Sequence, residues 1–592
     1  MSVKLAWRAL PPICALGRVG GAAAAAAAAC RRVNLRPSPA LPITAKPNRR
    51  NASTSSVTTA TKAQPSTAAG GDSAPAWTGN GVLGVTLLAG VLGWGLATMT
   101  TSGTGKGPTL LDSKQQMPRY ASMREMEIAI QEIRDAIGPD EDIISTDPDD
   151  LHAHGYSEWS TVNTESLPVA VAYPRSTADV SAIAQVCYKY HVPIIPYSGG
   201  SSLEGNFSAP FGGISVDFAY MDKIVQFNQE DMDIVVQPSI GWQDLNEQLS
   251  KMGSGLFFPV DPGPSAKIGG MIGTNCSGTN AVKYGTMKDW VINLTVVLSD
   301  GRVIKTRRRP RKSSAGYNLN SLFVGSEGTL GLVTEATLKL AVIPEDLSVA
   351  VVTFPSIRDA AAAAAEVMQT GIPVAAMEIM DEVQMRVVNL GGATAPRVWD
   401  EVPTLFFKFA GTKASVKENI GSVQRIAKRN SGSNFEFAKD SREQKLLWSA
   451  RKESLWSMLA LRKGGEEVWS TDVAVPFSRL ADIIEISKKE MDELGLFASI
   501  LGHIGDGNFH ESILYNPVNG EREKVEECVK KMVKRAIDME GTCTGEHSIG
   551  WGKKESLLLE VGPETLDVMR KIKGSLDPRW IMNPGKIFDR QL

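Results

Sequence analysis

Apolar and polar residues are most clearly patterned over residues 169–200, where they predict a strand, a helix and a second strand. The apolar run VAVAYP is followed by Ser176 and, three positions later, Asp179, a pair typical of a helix start. Apolar side chains then recur at the spacing of one buried helical face, at Val180, Ile183, Ala184 and Cys187. A second apolar segment, 193–196, leads into the sequence YSGGSS. We therefore expect a β-α-β unit that presents a Gly/Ser loop at the carboxyl end of its second strand.

Beyond this unit the pattern predicts a hairpin and then a second domain. Residues 293–306 form two apolar runs separated by Asp300-Gly301, a pair that favours a tight turn. From about residue 349 strands alternate with longer helices. The predicted elements there are an alanine-rich helix over 358–370, a strand over 405–409, and amphipathic helices over 442–461 and 477–494. The body of the chain is therefore expected to be α+β and to contain two domains.

The first 71 residues differ in composition from the rest. They contain ten Lys and Arg, no acidic residue and many Ala and Ser, which is typical of a mitochondrial presequence, although a disordered tail is the alternative. The whole chain has 63 basic and 65 acidic residues, so the part after residue 71 is strongly acidic, with 53 basic against 65 acidic residues. An acidic body disfavours nucleic acid and suits a cationic partner.

Residues 82–99 form an uncharged segment of 18 residues. A helix of this length reaches about 27 Å at about 1.5 Å per residue, just enough to cross a bilayer. The core of a secretory signal is the alternative. However, the segment begins far from Met1 and follows a basic leader, which favours one transmembrane anchor helix.

Three glycine-rich segments stand out, PYSGGSSLEG (196–205), PVDPGPSAKIGGMIGTNCSG (259–278) and VGSEGTLGLVTE (324–335). Their backbone N–H groups can approach a pyrophosphate without an intervening Cβ. NPGKIF (583–588) adds a fourth segment near the terminus. One such loop is common, but the combination favours a nucleotide cofactor. The glycines of the second segment lack the GxGxxG spacing, and residues 274–280 are too polar to open a helix, so a nicotinamide site is not indicated.

Three of the six histidines lie in two short motifs. GHIGDGNFH places His503 and His510 on either side of an Asp506-Gly507 turn, so that two strands would present them to one point, and GEHSIG adds Glu546 and His547. Two imidazoles and a carboxylate are a recurrent ligand set for a catalytic divalent metal. The scattered histidines are expected to be surface or core residues: His152, His154 and His191.

Two further features narrow the function. The basic run RRRPRK, 307–312, is compatible with nucleic-acid binding, but the acidic body argues against this. A solvated loop is one alternative, and we expect a loop near the phosphates of the cofactor. The six cysteines show no CxxC spacing, so neither a zinc ribbon nor a disulfide framework is indicated.

Together with RKSSAGYNLNSLFVGSEGTLG (311–331), these motifs resemble the FAD-linked oxidases of the vanillyl-alcohol-oxidase, or PCMH, type. The similarity extends over about 123–588. It implies a two-subdomain FAD-binding domain at 119–345, an α+β cap domain with an antiparallel sheet at 346–560, and a terminal segment, 561–592, that returns to the FAD domain. In some relatives a histidine of the first loop is bonded covalently to FAD. No histidine occurs at 198–201, so non-covalent FAD is expected.

The resemblance also implies roles for individual residues. His503, His510 and Glu546 would bind a divalent metal, zinc or manganese. His547 would be the base and Arg451 would pair with the substrate carboxylate, although a helix-surface charge is the alternative for Arg451. FAD would be contacted by Ser198, Gly199, Gly200, Ser201, Ser202, Gly205, Pro262, Gly263, Gly269, Gly270, Thr274, Asn275, Gly278, Glu327, Gly328, Val333 and Asn583.

The activity that the resemblance implies is the oxidation of a small D-2-hydroxy acid, D-lactate, at the mitochondrial inner membrane. Cytochrome c would accept the electrons, and the body would lie in the intermembrane space. D-2-hydroxyglutarate as substrate would need a further cation, whereas the small and apolar residues of 470–480 favour lactate. A metallohydrolase would leave the glycine-rich loops unexplained, and a non-catalytic flavin carrier would leave His547 and Arg451 without a role.

Overall fold

The computed structural model describes residues 118–138, 141–160, 162–392 and 394–590. These belong to one compact unit, Thr109–Leu592. The predicted presequence, 1–71, and the predicted membrane span, 82–99, lie outside the described residues. Within the described ranges, no helix has both the length and the apolar character needed to cross a membrane.

The amino-terminal part begins with a four-stranded sheet. Its strand order is β1-β2-β4-β3, with β2 and β3 both parallel to β4 and β1 antiparallel to β2. The elements are α1 (Met123–Ile137), β1 (Ile144–Ser145), α2 (Pro148–Ala153), β2 (Ala170–Ala172), α3 (Thr177–Tyr190), β3 (Ile194–Tyr197) and β4 (Ile214–Asp217).

Helix α3 forms where the sequence predicts it. The Ser176 side chain accepts a hydrogen bond from the Asp179 backbone N–H and caps the helix. The predicted core face is fully buried, at Val180, Ile183, Ala184 and Cys187. Since α3 joins two strands that both pair in parallel with β4, and β3 leads into the first glycine-rich loop, the predicted β-α-β unit is confirmed.

A five-stranded antiparallel sheet follows, in the order β5-β6-β10-β8-β9. The predicted hairpin is confirmed as β8 and β9, and Gly301 at its turn has φ 85°. A Cβ on Gly301 would lie 2.3 Å from the Gln185 side chain, so this glycine lets the hairpin pack against α3. The strands are β5 (Ile224–Asn228), β6 (Asp233–Val236), β8 (Val291–Val297), β9 (Val303–Lys305) and β10 (Leu332–Lys339), and a separate pair is β7 (Leu256–Phe257) with β11 (Ala341–Val342).

The helices of this part include one that the sequence analysis missed. The glycine-rich stretch itself forms α5, which ends before the polar residues 275–280. Its Ile268, Met271 and Ile272 are buried at helical spacing, and this burial outweighs the poor helix propensity of the glycines. The helices are α4 (Trp242–Lys251), α5 (Ile268–Thr274), α6 (Ala281–Tyr284), α7 (Met287–Trp290) and α8 (Asn320–Phe323).

The second part is built on an eight-stranded antiparallel sheet in the order β15-β12-β14-β13-β18-β19-β16, with β17 also pairing with β19. The largest cluster of buried apolar side chains in this part lies between the sheet and the helices that cover it. The strands are β12 (Asp346–Thr353), β13 (Val374–Met380), β14 (Thr404–Gly411), β15 (Ser433–Phe437), β16 (Glu467–Ser470), β17 (Val473–Ala474), β18 (Phe497–Gly502) and β19 (Asn508–Tyr515).

The helices and strands of the second part confirm three of the four predicted elements and correct one. The alanine-rich helix, the strand at 405–409 and the helix at 477–494 are present. The helix predicted over 442–461 is two helices, because Ser454 bonds back to the Arg451 carbonyl where the first one ends. The helices are α9 (Ile357–Gln369), α10 (Glu382–Gly391), α11 (Lys413–Arg429), α12 (Ser441–Lys452), α13 (Ser454–Ala460), α14 (Phe477–Leu494) and α15 (Glu521–Asp538).

The carboxyl-terminal segment returns to the first sheet. Helix α16 (Lys554–Leu576) is interrupted at Gly562, which precedes a proline. Beyond it, the Ile194 N–H donates to the Ile581 carbonyl and the Asn583 N–H donates to the Ile194 carbonyl, both at 2.7 Å. The segment therefore pairs beside β3, which is the strand that carries the first glycine-rich loop.

Candidate active site

A cavity of about 1010 Å³ is lined by residues of both parts of the fold. Its lining includes most of the residues predicted to contact a cofactor, namely Ser198, Gly199, Gly200, Ser201, Ser202, Pro262, Gly263, Gly269, Gly270, Thr274, Gly278, Glu327, Gly328, Val333 and Asn583. The predicted metal ligands, base and carboxylate-binding residue line the same cavity: His503, His510, Glu546, His547 and Arg451. The structure therefore brings almost the whole predicted site to one place.

The glycines of the loops shape this cavity in two ways. A Cβ on Gly263 or Gly270 would meet no heavy atom within 4 Å, so both backbones face open space. A Cβ on Gly199 would lie 3.1 Å from the Ser265 carbonyl oxygen, so this glycine lets the first two loops approach each other. The result is a cradle of bare backbone that side chains would fill, which fits the diphosphate of FAD.

Two of the predicted cofactor contacts lie outside the lining of the cavity. Gly205 has φ 66° and its N–H donates to Ser160 Oγ at 3.2 Å. Asn275 has φ 50° and ends α5, and its side chain accepts the Lys288 N–H at 3.0 Å. Both positions set the course of the backbone beside the loops.

The basic run 307–312 also lies away from the lining, so the expectation of a loop near the cofactor phosphates is wrong. Arg309 forms ion pairs with Asp231 and Asp233, at 2.7 and 3.0 Å. Arg311 donates to the backbone carbonyls of Asp231 and Met232. The acidic turn between β5 and β6 attracts these arginines and holds the loop there.

The two motif histidines are presented by adjacent antiparallel strands, as predicted. His503 follows β18, His510 lies in β19, and Gly507 turns the chain between them with φ 77°. His503, His510 and Glu546 each offer one atom that could bind a metal, and these three atoms lie within 4.8 Å of one another. Glu546 Oε1 is 3.1 Å from His503 Nε2 and 3.3 Å from His510 Nε2.

Hydrogen bonds at the other ring nitrogens set the tautomer of both histidines. His503 Nδ1 lies 2.9 Å from Glu378 Oε1, and His510 Nδ1 lies 3.0 Å from the Thr471 carbonyl oxygen. Because both partners only accept, Nδ1 carries a hydrogen in each ring, and Nε2 is the nitrogen that faces Glu546. Burial alone would lower the pKa of His503, but the charges of Glu378 and Glu546 raise it well above its usual value. This donor set fits a divalent cation, which would compete with that proton.

Arg451 lies in the last turn of α12 and is 8% exposed, so it is not a helix-surface charge. Its Nε donates to Glu378 Oε2 at 2.9 Å. Leu447 and Trp448, one turn earlier, are also buried. The helix therefore turns this face inward and places the guanidinium against the wall of the cavity.

His547 lies beside the candidate metal ligands. Its ring is stacked on that of His510, with centroids 5.0 Å apart and 13° between the ring planes. Its Nδ1 is buried without a hydrogen-bond partner. Burial is the main cause that lowers the pKa of His547 to about 4, so the imidazole is neutral near pH 7 and is able to accept a proton.

The turn that carries Glu546 and His547 is held by Asp472, which the sequence analysis missed. Asp472 Oδ2 accepts the backbone N–H groups of Glu546 and His547, both at 2.9 Å, and the Thr544 hydroxyl at 2.7 Å. Burial would raise the pKa of Asp472, but nearby positive charge, including that of Lys553, holds it well below its usual value. Asp472 therefore stays ionised and fixes the position of the turn.

Two carboxylates of the first part hold the same turn from the other side. Glu327 accepts the N–H groups of Ile549 and Gly550, at 2.9 and 2.8 Å. Glu204 Oε1 lies 3.1 Å from Lys553 Nζ. Burial raises the pKa of both Glu327 and Glu204 to about 7. The carboxylate of Glu327 is thus engaged by the chain itself, although the residue lines the cavity.

Glu378, the shared partner of His503 and Arg451, was also missed. It lies within VAAMEIM, seven consecutive residues that are all buried. A single charged residue in such a run is a signal, because a buried charge needs a partner. Its two partners were not identifiable from sequence, since they lie 125 and 73 residues away along the chain.

Two family models match the chain. The model described as FAD binding domain matches residues 168–307, and the model described as FAD linked oxidases, C-terminal domain, matches residues 343–587. Solved structures with a similar fold include 4-ethylphenol oxidase from Gulosibacter chungangensis, with TM-score 0.67, 19% identity and coverage of 80% of this chain and 99% of that chain. p-Cresol methylhydroxylase gives TM-score 0.64, 18% identity and the same coverage. The predicted α+β fold with a PCMH-type FAD-binding domain is confirmed.

Sequence relatives narrow the assignment. Mitochondrial D-lactate dehydrogenase (cytochrome) of Kluyveromyces lactis is 48% identical over 480 residues, which cover 80% of this chain and 83% of the relative. The enzyme of that name from Arabidopsis thaliana is 47% identical over 76% of this chain and 78% of the relative. D-2-hydroxyglutarate dehydrogenase of Stutzerimonas stutzeri is 29% identical over 78% of this chain and 98% of the relative. The chain therefore belongs to the family of FAD-linked oxidases that includes the mitochondrial D-lactate dehydrogenases (cytochrome).

Proposed function

We propose that this chain oxidises D-lactate to pyruvate with FAD and passes the electrons to cytochrome c. The observation that carries the proposal is that one cavity joins a glycine-lined cradle to His503, His510, Glu546, His547 and Arg451. The names of the relatives at 47–48% identity support D-lactate and a cytochrome as partners. The glycine-rich cradle is a feature that a metallohydrolase would not need.

The substrate would be held by its carboxylate. Arg451 is bonded to Glu378 through Nε alone, which leaves its terminal nitrogens for a two-pronged contact with the substrate carboxylate. Leu501 is the cross-strand neighbour of His510 and lines the same cavity. It offers an apolar contact for a methyl group such as that of lactate.

His503, His510 and Glu546 would bind a divalent cation, zinc or manganese, and the glycine-rich loops with Asn583 would bind FAD without a covalent bond. When bound, the cation would lower the pKa of the substrate hydroxyl, and FAD would accept the C2 hydrogen with its electron pair. His547 takes the hydroxyl proton, because its imidazole is stacked on that of His510 and lies beside the ligands. Arg451 keeps C2 in place during the reaction.

The first expected outcome concerns the cofactor and the substrate. The purified protein should be yellow, and D-lactate added without oxygen should bleach the flavin absorbance. L-lactate at the same concentration is the control and should not. Acid should release the flavin into the supernatant. Flavin that stays on the denatured polypeptide would contradict the non-covalent assignment, and a flavin that D-lactate leaves oxidised would contradict the proposed reaction.

Removal of the metal should abolish turnover without loss of flavin, since none of the candidate ligands belongs to a glycine-rich loop. His510→Ala should act in the same way and lower kcat at least about 100-fold, because even partners outside the ligand set cost about 10- to 100-fold. His152→Ala, an exposed histidine outside the cavity, is the matched control. Full turnover by metal-free protein, with metal content measured by elemental analysis, would rule out the metal assignment.

Arg451→Lys should weaken D-lactate binding and slow flavin reduction. Lysine keeps the charge but loses the planar fork, and the loss of one charge-assisted hydrogen bond costs about 1.5–3 kcal/mol. Stopped-flow reduction at several D-lactate concentrations measures both effects. Arg442→Lys on the exposed side of the same helix should change neither quantity. Unaltered affinity and rate in Arg451→Lys would assign this arginine to structure alone.

We further propose that residues 1–71 direct the chain to mitochondria, that 82–99 anchor it in the inner membrane, and that 100–592 lie in the intermembrane space. The sequence supports this placement through the acid-free basic leader and the uncharged 18-residue segment. The acidic body would attract a cationic electron carrier such as cytochrome c.

Cytochrome c reduction should therefore slow markedly as salt rises from about 0.01 to 0.15 M, where the screening length falls from about 30 to about 8 Å. Flavin reduction by D-lactate, the internal control, should barely change. Protease added to mitochondria whose outer membrane alone has been opened should digest the body. A protected body, or cytochrome reduction that does not respond to salt, would indicate a matrix enzyme with another acceptor.

A further inference from the structure

Glu378 is a buried carboxylate that the proposed reaction does not use as ligand, base or substrate contact. It is 1% exposed and lies in β13, in the sheet of the second part. Its Oε1 lies 2.9 Å from His503 Nδ1, and its Oε2 lies 2.9 Å from Arg451 Nε. One carboxylate therefore joins a candidate metal ligand to the candidate substrate-binding arginine.

Glu378 shares its face of the sheet with apolar side chains and with one buried cation. Ala376 and Met380, which share that face, belong to a core cluster with Trp448 and Leu501. Lys408 is the cross-strand neighbour of Ala376, and its Nζ lies 3.9 Å from the centroid of the Trp448 ring. Such surroundings solvate a charge poorly, so the carboxylate of Glu378 depends on the two groups that bond to it directly. His503 and Arg451 are also buried, so each of them in turn depends on Glu378 as a hydrogen-bond partner.

The two hydrogen bonds of Glu378 leave His503 able to bind a cation and Arg451 able to bind a carboxylate. The bond to Nδ1 fixes the ring of His503 and directs Nε2 at Glu546, where a cation would replace the proton between them. The bond to Nε fixes the guanidinium of Arg451 and leaves its terminal nitrogens for a carboxylate. One carboxyl group therefore fixes the position of the His503 ring relative to the Arg451 guanidinium.

Glu378 also supplies negative charge to the loaded site. A divalent cation and Arg451 would be offset there by Glu546, Glu378 and the carboxylate of the substrate, beside the buried Lys408 and Asp261. Without Glu378, the buried site would keep an unbalanced positive charge, which is costly in a poorly solvated interior.

We propose that Glu378 is a positioning residue that determines both metal affinity and D-lactate affinity, because it fixes the positions of His503 and Arg451 relative to each other. This rests on the proposed function. An ordinary buried ion pair would contribute to stability and leave the two affinities unchanged.

Glu378→Gln in the FAD-loaded enzyme tests the proposal, because the amide has one acceptor where the carboxylate offers two. The dissociation constant of Mn²⁺, measured by competition with a chelator, should rise about 10- to 100-fold. The KM for D-lactate at saturating Mn²⁺ should rise at least about tenfold, as expected for loss of a charge-assisted bond. The first readout does not depend on turnover.

Asp381→Asn is the matched control. Asp381 is equally buried and follows β13 directly. Its Oδ2 lies 2.9 Å from Lys488 Nζ, and neither residue lines the cavity. Its replacement should lower the midpoint of thermal unfolding and leave both constants within about twofold, because neither Mn²⁺ nor substrate depends on it.

A Glu378→Gln enzyme in which either constant stays within about twofold of wild type would overturn the proposal, whatever its stability. If that variant yields no folded protein, Glu378→Asp, which keeps the charge on a shorter side chain, replaces it: a rise in both constants supports the proposal and an unchanged constant overturns it. Wild-type enzyme that binds no Mn²⁺, or does not oxidise D-lactate, would instead contradict the proposed function before any variant is compared.

Discussion

The cavity depends on charges that are buried where the two parts of the fold meet. The turn with the candidate ligand Glu546 and the candidate base His547 is held by Asp472 on one side and by Glu327 and Glu204 on the other. Lys553 lies 3.1 Å from Glu204 and 3.9 Å from Asp472. Because an unpaired buried charge costs several kcal/mol, none of these groups can separate without penalty, and the glycine-rich loops and the catalytic turn keep a fixed relation.

The polar residues of the site therefore fall into two groups. Side chains with two buried partners, such as Glu378 and Asp472, are saturated by the protein and set geometry. Side chains with a polar atom that has no hydrogen-bond partner in the protein, such as Nδ1 of His547, keep an unused donor or acceptor for chemistry. A family resemblance identifies the second group far more readily than the first, because short motifs contain the reacting residues and not their distant supports.

The sequence predicted the elements whose cause is local. The buried face of α3, the hairpin at Gly301 and the presentation of His503 and His510 around Gly507 all follow from spacing and turn chemistry. The errors have tertiary causes. Burial of three apolar residues stabilises a helix in a glycine-rich stretch. Arg309 forms an ion pair with Asp231 in an acidic turn, which holds the basic run there. The partners of Glu378 and Asp472 come together only when the second sheet and the turn at 545–553 have folded, so no local pattern contains them.

The return of the segment after α16 to β3 has a consequence for shortened forms of the chain. Asn583 Nδ2 donates to the Glu327 carbonyl at 2.7 Å and to the Asn206 carbonyl at 3.1 Å, and it thereby closes one wall of the cavity. These contacts join residues that lie 377 and 256 positions apart along the chain. A chain cut before Asn583 would therefore keep every glycine-rich loop at 196–335 and still have this wall of the cavity open.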